Sequence, residues 1–199
     1  AVAALCLLAP VEAAHCDPAS SWLAYASYNT SGTIITYLSA EWTLPENPRL
    51  NGGSPAFWFG IEPDPACWLI QPISKWTLTK WGTWNEYYQW DISYDYQSPH
   101  RDAQAGDNIF ASVAYNSTTQ SYDMITQNLS NGDISKTSIP VVEDVVYSNA
   151  FFVVEHQVSR CSQMPSSGSL TFNNVTLVVD NAPVTPQWQP VVGNTVCNC

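Results

Sequence analysis

The chain has 199 residues, enough to bury the core of one domain, and charged residues make up only 12% of it. With 17 acidic and 6 basic residues, the formal net charge is −11. The basic residues are scattered rather than clustered, which argues against nucleic acid or an anionic membrane surface as a partner.

Aromatic residues are unusually frequent, with 9 Trp, 10 Tyr and 6 Phe. Aromatic and β-branched side chains suit the pleated, half-buried surface of a sheet, and helix-forming residues do not recur here at helical spacing. The composition therefore predicts an all-β protein. We expect an antiparallel β-sandwich of the jelly-roll or concanavalin-like type with about ten or more strands.

Residues 1–15 form an apolar segment that Pro10 interrupts, and it is too short to span a membrane. Two hypotheses explain it: a remnant of a secretory signal, or an arm that packs on its own domain or inserts into the sheet of a neighbouring molecule. The second hypothesis predicts self-association through this segment. We place the sandwich domain at residues 16–182 and an irregular tail rich in Pro and Cys at residues 183–199.

From residue 22 onward, short runs of strand-forming residues alternate with turn residues. The Asn131-Gly132 dipeptide is the strongest hairpin signal among these turns. The predicted strands are 21–28, 33–42, 56–61, 67–73, 81–96, 107–115, 121–129, 133–142, 151–157 and 170–179.

The most apolar of these runs, residues 151–157, contains a single carboxylate. Successive side chains of a strand point to opposite faces, so Glu155 shares a face with Phe151 and Val153. A carboxylate placed among such side chains is either a hydrogen-bonded structural acid or a catalytic one. The same alternation puts Trp84 and Glu86 on one face of the aromatic run 81–96.

The common hydrolase, metalloprotease and nucleotide-binding signatures are absent. A Ser/His/Asp triad stays open, because its members are neighbours in space rather than in sequence. His15, His100 and His156 are not spaced with another ligand on a shared face, so we expect no metal and no cofactor. Glu86 and Glu155 could be the acid pair of a glycosidase, since such pairs lie in clefts lined with Trp and Tyr.

The chain contains six cysteines whose spacing is not that of a zinc site, and the even number is compatible with disulfides. They are Cys6, Cys16, Cys67, Cys161, Cys197 and Cys199. Sequons of the N-x-S/T type occur at Asn29, Asn116, Asn128 and Asn174. Together these features predict a secreted glycoprotein.

Several short phrases resemble, in order, those of the glutamic peptidases called eqolisins, over about residues 22–180 of the chain. They are Glu41-Trp42-Thr43-Leu44-Pro45, Phe57-Trp58-Phe59-Gly60-Ile61, Leu69-Ile70-Gln71, Trp84-Asn85-Glu86-Tyr87-Tyr88, Ala105-Gly106-Asp107-Asn108-Ile109, Gln127-Asn128-Leu129 and Val153-Val154-Glu155. The chain departs from the family at Gln71-Pro72-Ile73-Ser74, where eqolisins have Gln-Thr-Gly-Val, so we expect a reshaped backbone after Gln71.

The resemblance implies a catalytic dyad of Gln71 and Glu155 on neighbouring strands, with both side chains on one face of the sheet. Glu155 would act as general base and then as acid, and Gln71 would donate to the oxyanion. The implied function is that of a secreted acid endopeptidase whose partner is a protein or peptide substrate. The expected substrate-binding residues are Trp58, Trp84, Glu86 and Tyr88.

The dyad model also pairs Cys67 with Cys161 in a disulfide, since each lies within a few residues of a dyad member. A rival hypothesis is a non-catalytic member of the same fold that serves as an extracellular adhesion or filament subunit. The apolar N-terminus, the altered sequence after Gln71 and the tail that ends in cysteine favour this rival.

Overall fold

The computed structural model describes residues 16, 21–50, 52–142, 144–157 and 161–193, apart from the side chains of residues 156 and 157. The choice between a signal remnant and a self-associating arm concerns residues 1–15, which lie outside this range. His15, Cys6, Cys197 and Cys199 also lie outside it, and so does the side chain of His156.

The regular structure of the described residues consists of strands and one short 3-10 helix, Cys161–Gln163. The strands are β1 (Trp22–Asn29), β2 (Ile35–Thr43), β3 (Ser54–Pro63), β4 (Trp68–Trp76), β5 (Trp81–Gln89), β6 (Tyr94–Gln97), β7 (Arg101–Ala103), β8 (Asn108–Asn116), β9 (Ser121–Asn128), β10 (Ile134–Pro140), β11 (Tyr147–Gln157), β12 (Asn173–Val179), β13 (Ala182–Val184) and β14 (Gln189–Val192).

The strands form two antiparallel sheets that pack face to face. The larger sheet has eight strands in the order β14-β1-β11-β3-β4-β5-β6, with β7 also paired to β5. The smaller sheet has six strands in the order β10-β9-β8-β2-β12-β13. The predicted all-β antiparallel sandwich is confirmed, and β9 and β10 form the hairpin expected around Asn131-Gly132.

Two strands overlap the predicted irregular tail, β13 at its start and β14 within it. Strand β14 pairs with β1, placing Val191 opposite Tyr25 and Pro190 opposite Ala26. The prolines of the tail did not prevent this, because a strand at the edge of a sheet tolerates a residue without an N–H group.

Among the described residues, no helix is long and apolar enough to cross a membrane.

The main hydrophobic core lies between the two sheets, and its largest members are aromatic. Phe152 of β11 belongs to this core, whereas its neighbour Val153 belongs to a second apolar cluster on the outer face of the larger sheet. The face assignment predicted for the run 151–157 is therefore confirmed. The buried members of the outer cluster are Trp22, Ala56, Trp58, Leu69, Ile73, Trp84 and Val153.

Strands β3 and β4 approach each other closely at Gly60. A Cβ atom on Gly60 would lie 2.7 Å from the carbonyl oxygen of Ile70 and 3.3 Å from the Cβ of Gln71. Backbone pairing of β3 with β4 is recorded on either side of this point, from Ala56 to Trp58 and again at Ile61. A proline at position 72 has no N–H group to donate, which accounts for the interruption beside Gln71.

The predicted disulfide between Cys67 and Cys161 is wrong, because Cys67 is bonded to Cys16 with a Cα–Cα distance of 4.8 Å. Cys67 immediately precedes β4, whereas Cys161 follows the end of β11. The end of β11 lies beside the start of β3, which in turn pairs with the far end of β4. The two cysteines are thus at opposite ends of the sheet, although each is close in sequence to a predicted dyad residue.

We predict that Gly60→Ala lowers the free energy of unfolding by about 2 kcal/mol, because a new methyl group must displace the β4 backbone. Urea denaturation measures this change. Gly82→Ala in β5 is the matched control, since its new Cβ would have no neighbour closer than 3.5 Å. Equal stability of the two variants would contradict the prediction.

Candidate active site

A cleft of about 330 Å³ lies on the outer face of the larger sheet. It brings together side chains from β3, β4, β5, β6 and β11 and from the residues at the start of β1. Its lining residues are Ser21, Trp22, Trp58, Leu69, Gln71, Ile73, Lys75, Glu86, Tyr88, Trp90, Asp95, Gln97 and Glu155.

Glu155 on β11 is held through both carboxylate oxygens. The Nε1 of Trp58 donates to its Oε2 at 3.0 Å, and the Oγ of Ser21 donates to its Oε1 at 2.7 Å. The Trp58 ring is fully buried and packs edge to face on Trp22, with centroids 5.0 Å apart. Two neutral donors therefore fix the carboxylate while leaving it open to the cleft, and each oxygen keeps a further lone pair for another donor.

Gln71 on β4 is only 4% exposed. Its Nε2 donates to Oε1 of Glu86 at 3.1 Å. Its Oε1 is buried, and no described residue donates a hydrogen bond to it. An amide nitrogen carries two hydrogens, so one of them remains for a further acceptor while Glu86 holds the other.

Glu86 on β5 also accepts a hydrogen bond from Nε1 of Trp84 at 2.6 Å. Burial raises the pKa of Glu86 to about 7, although the Trp84 hydrogen bond and the charge of Lys75 oppose this rise. The nearby carboxylates of Asp95 and Glu155 add to it. Glu86 is therefore mainly a neutral acid below pH 7.

The Trp84 ring is itself in contact with a histidine. The imidazole of His100 stacks on its ring with centroids 4.0 Å apart, and Nε2 of His100 forms a hydrogen bond with Gln97 at 2.9 Å. Burial, with the charge of Lys75, lowers the pKa of His100. The contacts of His100 are thus an aromatic ring and an amide.

Among the described residues, no group of three His, Cys, Asp or Glu side chains forms a metal site.

The structure places Gln71 and Glu155 in one cleft but not on neighbouring strands, so that part of the prediction is wrong. Strand β3 lies between β4 and β11, and its residue Trp58 contacts Glu155. The alternation of side chains along a strand predicts which of them share a face, but it does not predict which strands are adjacent in the sheet.

Of the four residues expected to bind substrate, Glu86 and Tyr88 are half-buried and line the cleft. Trp58 has no exposed surface, and Trp84 is 3% exposed and does not line the cleft. The two indoles mainly donate hydrogen bonds to carboxylates. Ser21 was missed, because its contact with Glu155 joins residues 134 positions apart and leaves no local signal.

The four sequons differ in accessibility. Asn29 and Asn174 are exposed, and Asn116 is half-buried. Asn128 is 1% exposed, and its amide donates to Asp107 at 2.7 Å. The folded protein has no room for a glycan at Asn128, so the glycosylation predicted there is wrong.

The fold and the cleft define an all-β sandwich in which a carboxylate and a carboxamide share one site. Residues 21–194 match the model of the Peptidase A4 family, so the chain belongs to this family and is a glutamic-type peptidase. The predicted resemblance to eqolisins is confirmed. No curated protein matches the chain.

Solved structures share the fold. Scytalido-glutamic peptidase with a peptide based transition state analog is 19% identical, with a TM-score of 0.62 over 82% of this chain and 83% of that one. SCP-B, a member of the eqolisin family solved with the tripeptide Ala-Ile-His, is 20% identical, with a TM-score of 0.58 over 82% of each chain.

We predict that Glu86 makes the protein less stable as pH rises. The folded state holds the Glu86 proton up to about pH 7, whereas the unfolded chain releases it near the ordinary glutamate pKa of 4.5. The stabilisation is therefore complete below pH 4.5, falls as pH rises from 4.5 to 7 and is lost above pH 7, with a total of about 3 kcal/mol.

Urea denaturation at pH 4.5 and pH 8 measures this difference. Glu86→Gln should reduce the pH dependence, while the control Glu41→Gln, on β2 of the other sheet, should retain it. An unchanged pH dependence in Glu86→Gln would refute the prediction.

Proposed function

We propose that this protein is a secreted endopeptidase that works at acid pH, with Glu155 as general base and acid and Gln71 as oxyanion donor. The observation that carries the proposal is the single cleft in which separate hydrogen bonds hold the two side chains. The solved relatives bind a peptide analogue and a tripeptide, which supports a peptide as the substrate.

In the proposed reaction, Glu155 takes a proton from water while the water oxygen attacks the carbonyl carbon of the scissile peptide. The carbonyl oxygen becomes an oxyanion and accepts the free N–H of Gln71. Glu155 then returns the proton to the amide nitrogen, and the C–N bond breaks as the carbonyl re-forms. The products are a carboxylic acid and an amine, and Glu155 is ionised again.

Glu86 sets the upper limit of pH in this scheme. It accepts one N–H of Gln71, so its charge lies next to the position of the oxyanion. A neutral Glu86 leaves the site free of this charge, whereas an ionised Glu86 repels the negative charge that forms in the transition state. Both Glu86 oxygens already accept hydrogen bonds, which favours this supporting role over that of a glycosidase acid.

The disulfide between Cys16 and Cys67 supports secretion, because such bonds persist in oxidising compartments. In a secreted protein, the exposed sequons at Asn29 and Asn174 would accept glycans, and the half-buried Asn116 is a further candidate. Tyr88 and Glu86 are the proposed contacts of the substrate on the cleft wall.

We predict that the purified protein cleaves denatured casein at pH 2 to 5, and that Glu155→Gln and Gln71→Ala each lower kcat by about 100-fold or more. Mass spectrometry of the fragments and initial rates measure this. Melting curves of both variants serve as the control for folding. If the intact, folded protein cleaves no substrate, the peptidase proposal fails and the non-catalytic adhesion or filament subunit becomes the better explanation.

We predict that kcat/KM of the wild type falls as pH rises through about 7, the pKa of Glu86. In Glu86→Gln this alkaline decline should disappear, so that the ratio of kcat/KM at pH 8 to that at pH 5 rises by about 10-fold or more. Glu41→Gln, which exchanges the same groups outside the cleft, should keep the wild-type ratio. An alkaline decline that is the same in all three proteins would contradict the prediction.

A further inference from the structure

We propose that Ser21 is a positioning residue for Glu155: its hydroxyl holds the carboxylate in the orientation from which it activates water. The inference rests on the proposed function of the cleft. It adds a residue outside the predicted dyad, located immediately before the first strand.

The contact is short and directed. The Oγ of Ser21 lies 2.7 Å from Oε1 of Glu155, and Ser21 lines the same cleft. The other carboxylate oxygen accepts from the Trp58 indole. A carboxylate held at one oxygen can still rotate about its last side-chain bond, whereas donors on both oxygens fix its plane.

The residue after Ser21 is packed into the larger sheet. Trp22, the next residue, is 3% exposed and lies opposite Glu155 in the ladder of β1 with β11. The register of that ladder shifts between Trp22 and Ala24. On the other side of β1, a Cβ atom on Gly193 would lie 2.2 Å from the carbonyl oxygen of Trp22. These contacts hold Trp22 in the sheet, and the Ser21 hydroxyl is presented to Glu155 from the residue that precedes it.

The chemistry of a hydroxyl suits this role. Its proton is donated to Glu155, and its oxygen keeps lone pairs that can accept a hydrogen bond from the attacking water. Glu155 keeps further lone pairs on both oxygens, so the Ser21 contact does not occupy the position from which the base takes a proton.

Ser21→Ala removes the donor, and we expect kcat to fall by about 10- to 100-fold, the loss typical of one hydrogen bond to a charged group. KM should change by less than about 3-fold, because Ser21 contacts the base and not the substrate.

Ser21→Thr keeps the hydroxyl and should restore kcat to near the wild-type value. Ser27→Ala, the same exchange on β1 at a position that does not line the cleft, is the matched control and should match the wild type. If Ser21→Ala has the same kcat as Ser27→Ala, the inference is wrong. Complete loss of cleavage in Ser21→Ala, with covalent labelling of Ser21 by a fluorophosphonate in the wild type, would also overturn it, because Ser21 would then be a nucleophile.

A second measurement does not depend on cleavage. The carboxyl 13C resonance of Glu155 at pH 7 should shift in Ser21→Ala but not in Ser21→Thr or Ser27→Ala. If the wild type cleaves nothing and this shift is present, the proposed function fails while the contact stands. If the wild type is active and the shift and the kinetic changes are both absent, the positioning role fails while the peptidase stands.

Discussion

The site depends on one buried indole. Trp58 lies on β3, between the strands that carry Gln71 and Glu155, and it has no exposed surface. Its N–H group donates to Glu155, which avoids the cost of leaving this buried donor unpaired. The packing of Trp58 against Trp22 fixes the indole and therefore the carboxylate. The orientation of the Glu155 carboxylate is thus a consequence of aromatic packing on the outer face of the sheet.

Two carboxylates share the cleft, and the fold gives them different environments. Glu155 is bonded to an indole N–H and to a hydroxyl, whereas Glu86 is bonded to an indole N–H and to the Gln71 amide. Burial is the main cause of the raised pKa of Glu86. One site therefore holds an acidic side chain suited to proton transfer and another suited to supporting a neighbouring amide. All four hydrogen-bond donors to the two carboxylates are neutral groups.

Alternation along single strands was enough to predict much of the site. It placed Glu155 with Val153 on one face and Trp84 with Glu86 on another, and both assignments agree with the outer cluster and the cleft. Sequence could not predict that β3 separates the dyad strands or that Cys16 reaches Cys67, because these facts depend on which strands become neighbours. The predicted pairing of Cys161 with Cys67 relied on the closeness of each cysteine in sequence to a predicted dyad residue. This reasoning failed because a strand rises more than about 3 Å per residue, so a few residues carry the chain away from the site.

Strand β14 is an edge strand of the larger sheet, and it determines which backbone groups at that edge can pair with another molecule. It pairs with β1 on one side, and among the described residues no strand pairs with its other side. An incoming strand would need a regular row of N–H and carbonyl groups there, and Pro190 supplies no N–H. A proline on an open border disfavours fibrous growth by strand addition, so this border is protected from sheet extension between molecules.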